Sequence, residues 1–180
     1  LPPNVADNWI TGEESKILVH QWRTEEQAIL VGHNTVVADN PQLTARLYEG
    51  NNPLRIVIDR TLDLNLNYKV FDAKAKTIIF NSVKNNVKEN LHWIKIDFTN
   101  FIDELLQQLY KLNINSVIVE GGSRTLEHFI NTEMWDEARI FINPNLNFEK
   151  GIDAPFLDFK TNAFQTIGKD KLYILTNTTK

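Results

Sequence analysis

The chain has no cysteine among its 180 residues, which removes disulfides, thiolate nucleophiles and sulfur-based zinc sites together. No apolar run approaches the ~20 residues needed to cross a bilayer. No basic-then-apolar leader opens the sequence, so nothing in it directs export, and a cytoplasmic protein is expected. An excess of basic charge is missing too: the formal net charge of −4 argues against a nucleic-acid binder, whose footprint would be a basic stripe. The four histidines form no metal-binding spacing, and none is followed by a His-x-Glu pattern. There is no Gly-x-Ser-x-Gly elbow, no internal repeat and no low-complexity run. What remains is 42% hydrophobic residues in a length that suits one domain with a real core.

Within that frame the most informative stretch is Ser116-Val-Ile-Val-Glu-Gly-Gly-Ser-Arg-Thr125. A short apolar run stops at Glu120-Gly121-Gly122 and a helix-like pattern follows. The order reads as a buried strand that delivers one carboxylate to its tip, then backbone loose enough for an anion to approach the first helix amides. A plain tight turn would look the same. A second segment, from Ile29 to Arg46, repeats the build: strand, glycine, short helix, acidic residue, proline. Asn34 or Thr35 is placed to cap that helix, and Pro41 forces Asn40 out of the helical region. In an open sheet ligands sit where strand ends and helix starts meet, and this chain has two such junctions.

The rest of the pattern alternates strand and helix. Thr11-Gly-Glu-Glu14 reads as a capping box ahead of a helix that carries Leu18 and Trp22 on one face. Residues 27–32, 54–58, 77–80 and 93–96 have strand length and apolar character. Residues 99–112 form the clearest helix, with Phe101, Ile102, Leu105, Leu106 and Leu109 at helical spacing. A helix to about Thr132 and strands near 137–142, 163–167 and 172–176 complete the pattern. Residues 143–163 hold Pro144, Gly151 and Pro155 and read as a long connecting loop.

The series Gly32-x-x-Thr35-Val-x-Ala-Asp39-Asn-Pro41-x-Leu43-Thr-x-Arg46 leads on to Val119-Glu120-Gly121-Gly122, and then to Asp136-Glu137 and Ile142-Asn-Pro144. In this order, with Trp9-Ile10-Thr11 ahead of Arg23, it resembles the reductase domain of the bifunctional riboflavin-biosynthesis deaminase-reductase, over nearly the whole chain. The resemblance implies an α/β, dihydrofolate-reductase-like fold with a central mixed, mostly parallel sheet flanked by helices. It also implies NADPH-dependent reduction of the ribosyl group of 5-amino-6-(5-phosphoribosylamino)uracil to the ribityl form, and a homodimer. The partner zinc deaminase carries His-x-Glu and Cys-x-x-Cys signatures, so that half lies outside this sequence. The family's reductase opens with a strand and an Asp-Gly turn, whereas this chain starts at Leu1-Pro2-Pro3. A single reductase domain without that first strand is the expectation.

Site residues follow from the resemblance by position. Trp9, Thr35, Asp39, Gly122, Ser123, Arg124 and Thr125 match cofactor positions; Arg23, Leu43, Arg46 and Glu120 match substrate positions; no metal ligand is implied. The residues themselves admit plainer roles. Trp9 suits a hydrophobic staple, Asp39 suits a stabiliser of the Asn-Pro turn, Arg23 suits a cation in a last helical turn, and Arg124 suits a solvated charge. Asp7 stands where the family often has a small hydroxyl, and its charge would repel a phosphorylated ligand. His128 reads as packing or surface. Arg60 and Arg124 are the candidates for a cofactor 2′-phosphate. Glu120, or a water it holds, is the candidate proton donor. Two rivals stand beside this reading: a reductase of a pterin or another carbonyl compound, and a non-catalytic nucleotide-binding module.

Overall fold

A computed structural model describes residues 10–147, 151, 153–158 and 163–178. Trp9, Asp7 and the Leu1-Pro2-Pro3 start lie outside these residues.

The apolar runs form parallel strands because helices and loops cover both of their faces. Five strands run parallel: β1 (Ala28–Gly32), β2 (Leu54–Ile58), β3 (Thr77–Asn81), β5 (Leu91–Lys95) and β6 (Val117–Gly121). A short strand β4 (Asn86–Lys88) runs antiparallel on β5, giving the order β4-β5-β3-β2-β1-β6. β7 (Glu137–Ile142), β8 (Gln165–Ile167) and β9 (Asp170–Thr176) make a separate antiparallel sheet in the order β7-β9-β8. The helices are α1 (Glu13–Glu25), α2 (His33–Asp39), α3 (Phe101–Lys111) and α4 (Ser123–Asn131). The long connection after β7 contains no helix or strand among its described residues, as expected.

Strand alternation divides the core in two. Ala28, Leu30, Ile56, Ile78 and Phe80 face Phe101, Ile102, Leu105 and Leu109 of α3 and Phe129 of α4. Ile29, Val31, Val57 and Ile79 face the other way, against Val36 of α2, Leu43, Leu64, Val70, Phe71 and Trp93. Trp22 of α1 stacks at a tilt on Phe141 of β7, at 5.6 Å, and Arg139 lies 4.5 Å over the same indole. His128 packs edge-on against Phe101, as a residue without chemistry would.

Two local expectations are corrected. No capping box forms at Thr11: Gly12 is the N-cap of α1 without a side-chain cap, and the buried Asp170 substitutes from the β8–β9 hairpin. Its Oδ2 accepts from the Gly12 amide at 2.7 Å and from the Ser15 hydroxyl at 2.6 Å. A carboxylate held by tertiary structure outcompetes the local hydroxyl. At α2, neither Asn34 nor Thr35 caps; both lie inside a helix that starts directly after Gly32. Asn40 does leave the helix, in the left-handed region at φ 42°, which asparagine tolerates.

Arg55 is the largest fully buried side chain among the described residues, the second residue of an otherwise apolar β2. Its guanidinium donates to the Thr77 hydroxyl, the Asp72 carboxylate, and the carbonyls of Gln42, Lys69, Asp72 and Ala75. Burial alone would raise the Asp72 carboxyl, but the bond from Arg55, then the Lys74 amide and Gln42, pull it below the usual carboxylate range. We therefore expect Arg55→Met to cost about 3 kcal/mol or more in urea unfolding, because it orphans several buried acceptors. A depressed folded-state carboxyl stabilises above its unfolded value and loses that contribution as pH falls through the folded one. The stability gap between wild type and Asp72→Asn should accordingly be full at neutral pH and close in acid.

Candidate active site

The site is built where β1 and β6 end side by side. β6 pairs with β1 in parallel, and a register shift beyond Leu30 sets Val31 opposite Gly121. The two glycine bends therefore adjoin. A Cβ placed on Gly32 would lie 2.4 Å from the Thr125 hydroxyl, and one on Gly121 would lie 3.0 Å from Thr35. Gly122 has φ 81°, a left-handed conformation that glycine alone takes without strain, and a Cβ there would also meet the Thr35 hydroxyl at 3.0 Å. α4 starts immediately after it with no side-chain cap on its first amides.

Glu120 stands at the tip of β6 and is gripped by Arg23 from the last turn of α1. Arg23 donates from Nε to Oε1 at 2.7 Å and from Nη2 to Oε2, a bidentate fork, and its Nη1 donates to the Thr44 carbonyl at 3.1 Å. Both carboxylate oxygens keep lone pairs for a further donor. Arg46 is exposed two residues beyond Thr44 and has no ion pair among the described residues. Shielding from solvent, then Arg23, pull its guanidinium below the ordinary value, while Glu120 raises it, so these three charges share one neighbourhood.

The residues singled out in the sequence do not all converge. Thr35, Gly122, Ser123 and Thr125 gather at the glycine bends, and Arg23, Arg46 and Glu120 form the charged cluster. Thr125 is buried against Gly32, so it serves packing there as well. Ser123 donates to Glu127 at 3.0 Å, and Arg124 is exposed with no partner among the described residues. Asp39 is exposed at the far end of α2, about 9 Å along the helix from the first bend. Leu43 is 2% exposed and belongs to the core, so only its backbone is available to a ligand.

The structure adds residues that the sequence did not single out and gives a setting for Arg60, which it did. His33 Nδ1 lies 3.1 Å from Asp59 Oδ1 at the ends of β1 and β2, and Asp59 also accepts from the amides of Asp63 and Leu64. A hollow of about 480 Å³, lined by Arg60, Ser82, Asn85, Lys95 and Phe98 among others, opens at the ends of β2, β3 and β5. Arg60 lies 5.6 Å over the Phe98 ring there. The open end of the sheet thus continues from the charged cluster to a second recess, where Arg60 and Lys95 stand with Asp97 and Glu104. Among the described residues no three His, Cys, Asp or Glu side chains could hold a metal ion, and no helix is long and apolar enough to cross a membrane.

The interlock of the two bends gives a test of the geometry. Gly32→Ala should destabilise by about 1–3 kcal/mol through the clash with Thr125. Adding Thr125→Ala, which removes the clashing hydroxyl, should recover part of that loss in a double-mutant cycle read by thermal unfolding.

The model of the RibD C-terminal domain family matches residues 3–147. A riboflavin biosynthesis protein RibD from Aquifex aeolicus is 34% identical over 147 residues, covering 78% of this chain and 41% of the relative. A 2,5-diamino-6-ribosylamino-4(3H)-pyrimidinone 5′-phosphate reductase from the same organism is 33% identical over 145 residues, covering 73% of this chain and 63% of the relative. The crystal structure of a diaminohydroxyphosphoribosylaminopyrimidine deaminase/5-amino-6-(5-phosphoribosylamino)uracil reductase from Thermotoga maritima superposes with a TM-score of 0.81 at 31% identity, over 94% of this chain and 50% of that one. The chain thus spans about half the length of such relatives. Its fold is dihydrofolate-reductase-like, and the chain belongs to the RibD C-terminal domain family.

Proposed function

We propose that this chain is a single reductase domain that uses NADPH to reduce the ribosyl group of a phosphoribosylaminopyrimidine to the ribityl form in riboflavin biosynthesis. The observation that carries the reading is the cluster of Arg23, Glu120 and Arg46 beside two interlocked glycine bends. A guanidinium without an ion-pair partner suits the phosphate of the substrate, because its fork pairs bidentately with phosphate oxygens. Glu120, fixed by Arg23, is placed to accept from a substrate hydroxyl or amine. Paired bidentately with Arg23, its carboxylate has no proton of its own to give, so our candidate for delivering a proton is a water that Glu120 holds.

The residues present fit a dinucleotide. Gly121 and Gly122 leave a cradle that a Cβ would fill, and the uncapped start of α4 offers amides to a pyrophosphate. Thr35, Ser123 and Arg124 border that cradle, with Thr125 packed beneath it; Trp9 and Asp39 join the cofactor residues by family position. From β6 across β1 to β2 is about 10 Å at ordinary strand spacing, so a ligand on the bends reaches toward Arg60. Arg60, with Lys95 in the same recess, is our candidate for the 2′-phosphate that distinguishes NADPH from NADH. Hydride to C1 of the opened sugar is the chemistry that NADPH would supply when held by these residues, and the protein's part would be to position, exclude water and stabilise charge.

The names of the relatives support two closely related substrates, the diaminopyrimidinone and the aminouracil, before and after deamination. With the reading go a homodimer, a cytoplasmic location and an upstream zinc deaminase domain in the full-length protein, which the bifunctional relatives support.

Loss of NADPH absorbance on mixing with either phosphoribosylaminopyrimidine tests the proposal. Oxidation with dihydrofolate alone would point to a pterin reductase, and cofactor binding without oxidation to a nucleotide-binding module. Arg46→Ala should raise KM for the phosphorylated substrate by roughly 10- to 100-fold, the value of a charge-assisted contact. Glu120→Gln should cut turnover with little change in NADPH affinity. Arg60→Ala should weaken NADPH more than NADH.

A further inference from the structure

Among the polar side chains that α1 buries, Arg23 and His20 lie one turn apart, and of these two the proposed chemistry uses only Arg23. His20 is fully buried. Its Nδ1 takes the backbone N–H of Leu47 at 3.5 Å, a long contact, and its Nε2 has no hydrogen-bond partner. With Nδ1 accepting, Nε2 carries the proton; the Thr44 backbone favours the protonated ring, but Nε2 makes no well-formed hydrogen bond. A hydrocarbon side chain of similar volume would fill the space without that penalty. The contacts of the imidazole thus go to the 44–47 segment, and its worth lies in what Nδ1 holds.

What it holds is one flank of Arg46. Leu47 follows Arg46 and is tethered by His20; Thr44 precedes it and is tethered by Arg23 at 3.1 Å. Ala45 donates to the Asn52 side chain at 2.9 Å. The segment is entered through Leu43 at φ 53°, a left-handed conformation that a bulky residue keeps only when its surroundings enforce it. Residues 44–47 are held in place by these tethers, not by their own preference. Burial, then the charges of Arg23 and Arg46, lower the His20 pKa to about 4 against an opposing hydrogen bond with the Thr44 backbone, so the ring is neutral and its acceptor available throughout the neutral range.

Resting on the substrate reading above, we propose that His20 is a positioning residue: it fixes the 44–47 segment so that Arg46 stands beside the Arg23–Glu120 pair and meets the ligand phosphate. It touches neither substrate nor cofactor. Removing it loosens the aim of Arg46 while leaving the reacting centre in place.

The test combines ribose 5-phosphate binding by calorimetry with steady-state kinetics for wild type, His20→Leu, His20→Asn, Arg46→Ala and the His20→Leu/Arg46→Ala double variant. His20→Leu should weaken ribose 5-phosphate and raise KM for the phosphorylated pyrimidine by about ten-fold each. Its kcat, NADPH affinity and melting temperature should stay near wild type. His20→Asn, whose Oδ1 can replace Nδ1 as acceptor, should restore most of the loss. The double variant should be no worse than Arg46→Ala alone, because both changes disable one contact. Additive losses, or a parallel fall of kcat, cofactor affinity and melting temperature, overturn the proposal. So does wild-type affinity in His20→Leu, and in that case the substrate reading survives. Failure of the wild-type protein to bind ribose 5-phosphate or either pyrimidine overturns both.

Discussion

The bidentate pair between Arg23 and Glu120 ties the molecule together at its working end. The two side chains are only 7% and 19% exposed, so neither charge is well solvated and each needs the other. Loss of one member of such a pair leaves an uncompensated buried charge, at a cost of about 3–5 kcal/mol, whereas a pair with one partner in solvent, such as Lys16–Glu13, is worth well under that. The pair joins α1 to the tip of β6, two elements 97 residues apart. Through the third Arg23 donor it also fixes the loop at Thr44. Helix, strand tip and loop therefore move as one body.

The two-faced sheet explains why this rigidity is available. β1 is buried along its whole length, with alternate residues committed to opposite cores. A one-residue slip would exchange the two faces, so the register is firmly set. The β1–β6 shift between Leu30 and Val31 occurs where the strands leave the core and the glycine bends begin. Regular pairing supplies the frame, and its controlled interruption supplies the concavity.

Much of this was legible in the sequence, for definite reasons. β1, β2, β3, β6 and α3 announce themselves by apolar runs, broken in β2 by Arg55, or by helical spacing, and the glycine bends mark where the backbone must pass close to another. β4 could not be seen, because its three residues are exposed and only complete an edge. The cap of α1 could not be seen either, since Asp170 lies 155 residues beyond the Ser15 it binds. The motif placed Thr35, Glu120 and Arg46 in one region; it could not show that Leu43 turns its side chain into the core or that Asp39 sits at the far end of α2. Contacts between distant segments decide such matters, and a linear pattern does not record them.

Arg55 carries one more consequence. Its guanidinium gathers acceptors from Gln42, from 69–75 and from Thr77, and Gln42 is the immediate neighbour of Leu43. A lysine at this position has three donors on a flexible stem and could not span so many acceptors in one plane. Drift at this position is thereby closed off. Insertions or exchanges in the 72–75 turn, remote from the cleft and partly open to solvent, would propagate through a single side chain to the strained residue that introduces Arg46.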